Sequence, residues 1–225
     1  MRQKPTIVAL VPMRHSSERV KGKNYRDFNG KPLFHHIVQS LLDCPQLYKV
    51  VIDTDSPVIM DYAKEVFPQV VLLQRPEHLR DGNIPMNDVL LNIVNQVPAD
   101  FYLQTHSTNP LLKAATISKA LELFISQYPI YDSLFSVTRL QTRLWDGLAR
   151  AVNHNPNILL RTQDLPPIYE ENSCMYVFSK QLLEEKHNRI GNRPYLFEIP
   201  KSEALDIDEE IDFTLTEMAH KYYNA

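Results

Sequence analysis

The stretch Val8-Ala-Leu-Val-Pro-Met-Arg-His-Ser-Ser-Glu-Arg-Val-Lys-Gly-Lys-Asn24 sets the interpretation of this chain. An apolar strand over residues 6–11 ends at Pro12, and a loop rich in cations follows at once. The cations are Arg14, Arg19, Lys21 and Lys23. In open α/β sheets, ligands such as phosphorylated nucleotides bind beyond the carboxyl ends of the strands. The loop therefore indicates either a phosphate-binding site or a solvated basic turn.

The alternation of strands and helices predicts the fold class. Apolar runs indicate strands at 6–11, 49–55, 70–73, 101–105 and 133–137. Amphipathic stretches indicate helices at 32–42, 57–67, 87–97 and 114–128. This order is typical of an α/β protein with a doubly wound, mainly parallel sheet.

Residues 138–168 break this pattern, because Asn and Pro are frequent there and no long helix fits. We expect an excursion from the sheet rather than a second core, and such excursions in homo-oligomers often pack on a partner subunit. A strand at 173–178, a helix at 179–186, a strand at 196–199 and a helix from 208 or 209 to about 222 complete the prediction.

Composition excludes several classes of protein. The 225 residues are 44% hydrophobic and 23% charged, which is ordinary for a folded domain. With a net charge of −3, the basic loop suits a small anion better than a nucleic acid. The run at 6–11 is too short to cross a membrane and lacks a signal-peptide cleavage site. The distant Cys44 and Cys174 fit a reduced cytoplasm best, although two cysteines also permit one bridge.

An acidic cluster near the end of the chain, Asp206-Ile-Asp-Glu-Glu-Ile-Asp212, is the counterpart of the basic loop. On an extended backbone, Asp206 and Asp208 would place both carboxylates on one side. Two carboxylates, completed by phosphate oxygens and water, are a usual way to bind Mg²⁺. The alternative is a helix N-terminus, where acidic residues favour the helix dipole. Both can hold if Asp206 precedes the helix.

The cations near the start of the chain and the carboxylates near its end together indicate metal-dependent nucleotidyl transfer. The lysines and arginines would neutralise triphosphate charge, and the metal would stabilise charge on the attacked phosphorus. The loop lacks the Walker A pattern G-x-x-x-x-G-K-[ST], which disfavours that type of kinase or ATPase. The histidines form no H-x-x-x-H or H-E-x-x-H pattern, so we expect no zinc site.

Three further polar positions lie near predicted element ends. Arg75 follows the third strand, on the ligand side of such a sheet. Asn87 either caps the next helix or contacts a ligand. Gln104 begins a polar run, Gln-Thr-His-Ser-Thr-Asn109, that can hydrogen-bond a sugar or form an Asx-type turn before Pro110.

Several short motifs occur in a fixed order along nearly the whole chain. The first are Val11-Pro-Met-Arg14, Lys23-Asn24 and Asn29-Gly-Lys-Pro-Leu33. The later ones are Thr54-Asp55, Arg75-Pro76, Leu103-Gln104, Asn172-x-x-x-Tyr176 and Leu205-Asp-Ile-Asp208. Together they resemble the sugar-acid cytidylyltransferases, which begin I-P-A-R…K-N…G-K-P-L, and within them the CMP-sialic acid synthetases.

The resemblance implies an activity and a set of site residues. CTP and a 2-keto sugar acid would give the CMP-sugar and pyrophosphate, as the anomeric hydroxyl attacks the α-phosphorus. The residues implied to contact the nucleotide are Arg14, Lys23, Asn24 and Arg75. Those implied to contact the sugar are Gln104, Asn172 and Tyr176. The implied Mg²⁺ ligands are Asp206 and Asp208. We add Arg19 and Asn87 to the binding residues, and expect Arg14, Lys23 and Asp208 to carry catalysis.

The family fold is a three-layer, mixed and mostly parallel sheet of the nucleotide-diphospho-sugar transferase type with a projecting dimerisation arm. We therefore expect a single nucleotidyltransferase domain over 1–225, with the arm at 138–168. The resemblance also implies a cytoplasmic homodimer, and we expect no nucleic-acid or membrane partner.

The sequence departs from the family pattern mostly on the acceptor side. Met13 replaces an alanine, and Glu18 replaces a common lysine. The stretch 103–110 is two residues longer than L-Q-P-T-S-P, and Glu170-Glu-Asn172 stands where the family has R-P-N. The acceptor is therefore open: a sialic, legionaminic or pseudaminic acid, 3-deoxy-manno-octulosonate, or a phosphonate. A non-catalytic relative that binds nucleotide or sugar is a further alternative.

Overall fold

The computed structural model describes residues 4–223 and contains nine strands and six α-helices in that range. The strands are β1 (Ile7–Met13), β2 (Asp27–Phe28), β3 (Lys31–Pro32), β4 (Lys49–Thr54), β5 (Val71–Gln74), β6 (Phe101–Gln104), β7 (Ser133–Leu140), β8 (Ile168–Phe178) and β9 (Pro194–Glu198). The helices are α1 (Leu33–Leu42), α2 (Pro57–Val66), α3 (Met86–Gln96), α4 (Ala114–Gln127), α5 (Lys180–Lys186) and α6 (Glu210–Tyr223).

Seven of the strands form one mixed sheet in the order β5-β4-β1-β6-β8-β7-β9. Neighbours from β5 to β6 are parallel, β8 is antiparallel to β6 and β7, and β9 is parallel to β7. The mostly parallel, mixed sheet expected from the sequence is confirmed. None of the helices within residues 4–223 has the length and apolar character needed to cross a bilayer.

Helices cover both faces of the sheet, which gives three layers. Alternate residues of a strand point to opposite faces, and β1 sends Ala9 and Val11 to one side and Val8 and Leu10 to the other. The first side packs against α1, α2 and α4, and the second against α3 and α5. Because both faces are buried, the strands are continuous apolar runs, as parallel strands usually are.

A small apolar cluster joins the two ends of the chain. Its members are Val20, Phe28, Leu33, Ile207 and Phe213, all buried. Val20 belongs to the basic loop, and Ile207 lies between the two acidic residues Asp206 and Asp208. Burial of these apolar side chains therefore holds the basic loop against the acidic segment.

Four boundaries correct the sequence-based prediction. β1 runs through Pro12 to Met13 instead of ending at Pro12. The pairing of β1 with β6 ends at Leu10. Pro12, which has no N–H group, therefore lies beyond the last hydrogen bond to β6 and does not disrupt the sheet. β7 and β8 extend as a pair to Leu140 and Ile168, so the excursion is shorter than 138–168 and spans 141–167.

The other two corrections concern helix starts. α3 begins at Met86 with Pro85 at its N-cap, so Asn87 lies inside the first turn and does not cap the helix. α6 begins at Glu210, later than 208 or 209. The Asp212 carboxylate accepts hydrogen bonds from the backbone N–H groups of Asp208 (3.1 Å) and Glu209 (2.8 Å), and so caps the helix from within its first turn.

Candidate active site

A cleft of about 360 Å³ opens at the carboxyl ends of the parallel strands. The basic loop lines it from Arg14 to Asn24, together with Arg75, residues 81–86 in part, and the turn His106-Ser107-Thr108 after β6. A crevice at this edge is where open α/β sheets bind ligands. The structure therefore brings the predicted nucleotide-side residues Arg14, Arg19, Lys23, Asn24 and Arg75 to one cavity.

Asn24 fixes the shape of the basic loop. It is buried, and its side-chain amide donates to the Arg14 carbonyl at 2.8 Å. Its carbonyl accepts from the Ser107 hydroxyl at 2.7 Å, which ties the loop to the turn after β6. Gly22 enters this turn with φ of 65°, a left-handed conformation that glycine adopts at little cost. Asn24 is thus a brace for the loop, with both ends of its amide engaged.

Lys23 and Arg19 meet the acidic segment directly. Arg19 Nη2 lies 2.6 Å from Asp208 Oδ1, and Lys23 Nζ lies 3.9 Å from the same oxygen. Lys23 Nζ also donates to the Ile207 carbonyl at 2.5 Å. Burial lowers the pKa of Lys23, while the charges of Asp208 and Asp206 oppose this effect. Two cations that line the cleft therefore contact the Asp208 carboxylate beside it.

The acidic segment is held on the turn after β6. Ile207 N–H donates to the Thr108 carbonyl at 3.1 Å, and the Asn109 amide donates to the Leu205 carbonyl at 3.4 Å. Desolvation of the carboxylate raises the pKa of Asp206, and the like charge of Asp208 adds to it, although Asp206 keeps part of its surface exposed. A hydrogen bond from Thr108 and the charge of Lys23 act in the opposite direction.

The like charges of Asp206 and Asp208 repel each other, and a divalent cation between the two carboxylates would relieve that repulsion. Within residues 4–223, no group of three or more His, Cys, Asp or Glu side chains is placed to hold a metal alone. This donor set suits Mg²⁺, which keeps water and is commonly bound by one or two carboxylates together with substrate phosphates.

Arg75 has a structural partner as well as a place in the cleft. It is 2% exposed, and its Nε lies 2.5 Å from Oδ1 of the fully buried Asp53. Its backbone N–H donates to the Thr54 carbonyl at 2.9 Å. Burial raises the pKa of Asp53, and the Arg75 guanidinium opposes that shift. Arg75 thus neutralises a buried carboxylate at the floor of the cleft.

The predicted sugar-side residues lie beyond the turn, on β6 and β8. Gln104 is fully buried, and its Oε1 accepts from Arg189 Nη1 at 2.6 Å. That bond fixes the amide orientation, so Gln104 Nε2 donates to His106 Nε2 at 3.0 Å. His106 therefore carries its proton on Nδ1. Burial, followed by the charges of Arg189 and Lys23, lowers the pKa of His106 to about 4, which keeps it neutral near pH 7.

Tyr176 and Asn172 both lie on β8 but differ in surroundings. The Tyr176 ring packs under Arg189, and its hydroxyl donates to Glu171 Oε1 at 2.5 Å. Asn172 faces β7, where it accepts from Ser136 Oγ at 2.6 Å and donates to Thr138 Oγ1 at 2.9 Å. Asn172 thereby supports the irregular register of β7 and β8, and Tyr176 joins the polar network of Gln104.

Asn87 lies in the first turn of α3, and its Oδ1 is buried without a hydrogen-bond partner. Its neighbours Met86 and Val89 line the cleft. A ligand contact by Asn87 stays a prediction.

Sequence reasoning did not identify Arg189 or the pairing of Arg75 with Asp53. Arg189 follows α5 in a stretch without a motif, and nothing in its local sequence indicates contact with β6. Asp53 lies one residue before the motif Thr54-Asp55, in a run whose apolar members predicted a strand. Charged residues at the carboxyl ends of two neighbouring parallel strands are the feature that could have paired Asp53 with Arg75.

Known proteins resemble this chain in sequence and in fold. The cytidylyltransferase family model matches residues 8–225. The CMP-N,N'-diacetyllegionaminic acid synthase of Legionella pneumophila is 30% identical over 224 residues, which cover 94% of each protein. The pseudaminic acid cytidylyltransferase of Campylobacter jejuni is 23% identical over 227 residues, 95% of this chain and 96% of that protein.

A solved structure of CMP:2-keto-3-deoxy-manno-octonic acid synthetase complexed with CTP has the same fold, with a TM-score of 0.73. The two share 14% sequence identity, and the match covers 97% of this chain and 99% of the other. The resemblance seen in the motifs is therefore confirmed. This chain belongs to the cytidylyltransferase family and is a nucleotidyltransferase.

Proposed function

We propose that this enzyme transfers the cytidylyl group of CTP to a nonulosonic acid, a sialic-acid-like sugar, and releases pyrophosphate. The observation that carries the proposal is the meeting of Arg19 and Lys23 with Asp208, at 2.6 Å and 3.9 Å, beside a cleft at the carboxyl ends of parallel strands. The names of the relatives, a CMP-N,N'-diacetyllegionaminic acid synthase and a pseudaminic acid cytidylyltransferase, support this class of acceptor.

In this proposal, the basic loop binds the triphosphate. Arg14 lines the cleft, and Lys23 has a side chain that is 12% exposed, so its charge is only weakly screened by water. Both cations would neutralise the negative charge that the pyrophosphate leaving group gains, and this stabilises the transition state. Arg19 would exchange its contact with Asp208 for a phosphate oxygen, which frees the Asp208 carboxylate.

Asp206 and Asp208 would hold Mg²⁺ against the phosphates. When bound, Mg²⁺ supplies a Lewis acid that neutralises charge on the phosphoryl oxygens. The protein would position the anomeric hydroxyl for attack on the α-phosphorus, since phosphoryl transfer depends mainly on positioning and electrostatics. Gln104 and Tyr176 would lie on the acceptor side of that phosphorus.

We further propose that residues 141–167 form a dimerisation arm and that the enzyme is a cytoplasmic homodimer. The arm exposes a group of large apolar side chains: Trp145, Leu148, Val152, Ile158, Leu159 and Leu160. Apolar exposure of this kind is typical of a protein interface. The cytoplasmic placement rests on the buried free thiols of Cys44 and Cys174 and on the use of CTP.

Pyrophosphate release tests the reaction. The protein is incubated with CTP, Mg²⁺ and, in turn, N-acetylneuraminic, legionaminic, pseudaminic and 3-deoxy-manno-octulosonic acids. We expect release with at least one nine-carbon acid and little with the eight-carbon acid. CTP should also raise the thermal midpoint more than UTP, ATP or GTP, since a ligand that binds only the native state stabilises it. No release with any of these acids would contradict the proposal.

A further inference from the structure

Arg189 is a half-buried cation whose direct side-chain contacts are with neutral groups. Its guanidinium carbon lies 3.7 Å from the centroid of the Tyr176 ring, and its Nη1 donates to Gln104 Oε1 at 2.6 Å. Among the ion pairs of residues 4–223, none includes Arg189. The one carboxylate bonded to this network, Glu171, accepts from the Tyr176 hydroxyl at 2.5 Å. A cation removed from water without an anionic partner is costly, which favours an anionic ligand.

The backbone around Arg189 is fixed on both sides. Before it, His187 Nε2 lies 2.8 Å from Asp88 Oδ1 on α3. After it, Gly191 N–H donates to Ser133 Oγ at 2.8 Å, and Asn192 N–H donates to the Asp132 carboxylate at 2.9 Å. The loop therefore presents Arg189 in a set position, and a preordered cation loses less entropy when it binds a ligand.

The donor geometry of Arg189 suits a carboxylate. A guanidinium carries five N–H donors, and Gln104 accepts one of them. The remaining donors can bind a carboxylate in the two-pronged arrangement that arginine favours. His106, on the other side of Gln104, is a neutral imidazole and offers no charge of its own to the acceptor. Arg189 thus lies at the far end of a short polar chain that begins beside Lys23.

Negative charge on β8 favours a cation beside Tyr176. Glu170 and Glu171 are exposed on β8, beside Asn172 and Tyr176. The Glu171 carboxylate, which accepts a hydrogen bond from the Tyr176 hydroxyl, would repel an acidic sugar bound there. Arg189 comes from a different element and lies on the Tyr176 ring, so it offsets this repulsion where the acceptor would bind.

We infer that Arg189 binds the carboxylate of the sugar-acid acceptor and so selects acids over neutral sugars. This inference rests on the proposed function, because it names the residue that recognises the acceptor of that reaction. In this inference, Gln104 orients the Arg189 guanidinium through its hydrogen bond, and the Tyr176 ring packs against the face of the guanidinium.

The test compares N-acetylneuraminic and N,N'-diacetyllegionaminic acids with their methyl esters, which keep the sugar and lose the charge. Ligand-observed NMR titrations give the affinity of wild type, Arg189→Met and Arg189→Lys for each compound. Arg193→Met is the matched control, because Arg193 is in the same loop but donates to the Pro129 carbonyl at 3.1 Å. Thermal midpoints check that all variants are folded.

We expect wild type and Arg193→Met to bind at least one acid ten-fold or more tighter than its ester. Arg189→Met should bind both forms with similar affinity, and Arg189→Lys should fall between. In turnover, Arg189→Met should raise the KM for the acid ten-fold or more and leave the KM for CTP within two-fold.

An unchanged preference for the acid in Arg189→Met overturns the inference, as does a wild type that binds acid and ester alike. Pyrophosphate release from the same samples separates this result from the proposed function. If wild type prefers the acid through Arg189 but releases no pyrophosphate, the reaction is refuted and the carboxylate contact stands. If wild type releases pyrophosphate and Arg189→Met keeps its preference, the contact alone is refuted.

Discussion

Lys23 shows how single side chains in the cleft combine binding with support. Its ammonium group donates to the Ile207 carbonyl at 2.5 Å and lies 3.9 Å from Asp208. The same group that would bind phosphate therefore also holds the acidic segment in place. Arg75 is similar, because it lines the cleft while it pairs with the buried Asp53. Substitutions at such positions change both stability and activity, and the two effects have to be measured separately.

Asp208→Asn should lower kcat/KM by roughly 10²–10³-fold, because the amide removes one of the two negative charges proposed to hold Mg²⁺. The fold should persist, since Asp208 is at the surface and its ion pair with Arg19 is exposed. Steady-state pyrophosphate release with a Mg²⁺ titration measures the effect. Glu209→Gln is the control, because this exposed neighbour is proposed to have no role. Activity of Asp208→Asn within a few-fold of wild type would rule out the metal assignment.

Arg75→Met should lower the free energy of unfolding by about 3–5 kcal/mol, since it leaves the buried Asp53 carboxylate without its partner. Urea unfolding followed by circular dichroism measures this. The double variant Arg75→Met/Asp53→Leu should recover part of the loss, because neither charge is then buried. Arg139→Met, at an exposed arginine on β7 far from this ion pair in sequence, is the control and should change stability little. A stable Arg75→Met protein with only weaker CTP binding would show that Arg75 acts solely on the nucleotide.

At the scale of elements, α5 and the loop after it carry the residue on which acceptor selection depends. With seven residues, α5 is too short to be stable by itself. Ser179 caps it by accepting from Leu182 N–H at 3.2 Å, and Leu182 and Leu183 bury its apolar side on α3 and the sheet. His187 ends it in a left-handed conformation, with φ of 50°. The cap and the buried leucines therefore determine where the Arg189 loop begins.

Ser179→Ala should lower the free energy of unfolding by about 1 kcal/mol, the usual effect of losing an N-cap side chain. For a chain of this length, the thermal midpoint should fall by about 2–4 °C. Differential scanning calorimetry measures both. Ser126→Ala is the control, because the exposed Ser126 hydroxyl donates to the Leu123 carbonyl near the end of α4 and caps no N-terminus. Equal effects of the two substitutions would show that the cap contributes nothing specific.

At the scale of the whole molecule, a cluster of five apolar residues closes the chain on itself. Val20 and Ile207 are fully buried in it, and each lies next to charged residues of the cleft. Arg19 and Asp208, 189 positions apart, are brought to 2.6 Å by this closure. The arm lies outside this closure, since β7 and β8 extend past the sheet to Leu140 and Ile168 before residues 141–167 begin.

Leu159→Asp should shift the protein from dimer to monomer, because Leu159 is 90% exposed on the arm and a charge there would be buried in the proposed interface. Light scattering coupled to size-exclusion chromatography, over a concentration series, measures the mass. Leu215→Asp on α6 is the matched control, since Leu215 is exposed but lies outside the arm. A monomeric wild type, or a Leu159→Asp variant that stays dimeric, would contradict the role of the arm.

The sequence by itself determined the order of the helices and of the seven strands of the large sheet, the layered α/β class and the family, because periodicity and short motifs are local properties of the chain. It did not indicate the short pair β2 and β3. It also placed Arg14, Arg19, Lys23, Asn24 and Arg75 in one site, since the carboxyl ends of parallel strands lie at one edge of a sheet. Tertiary structure alone decided that Arg75 neutralises Asp53, that Asn87 is not a cap, and that Arg189 lies on Tyr176. Each of these depends on contacts between residues distant in sequence or on the exact start of a helix. Local sequence preferences do not determine either one.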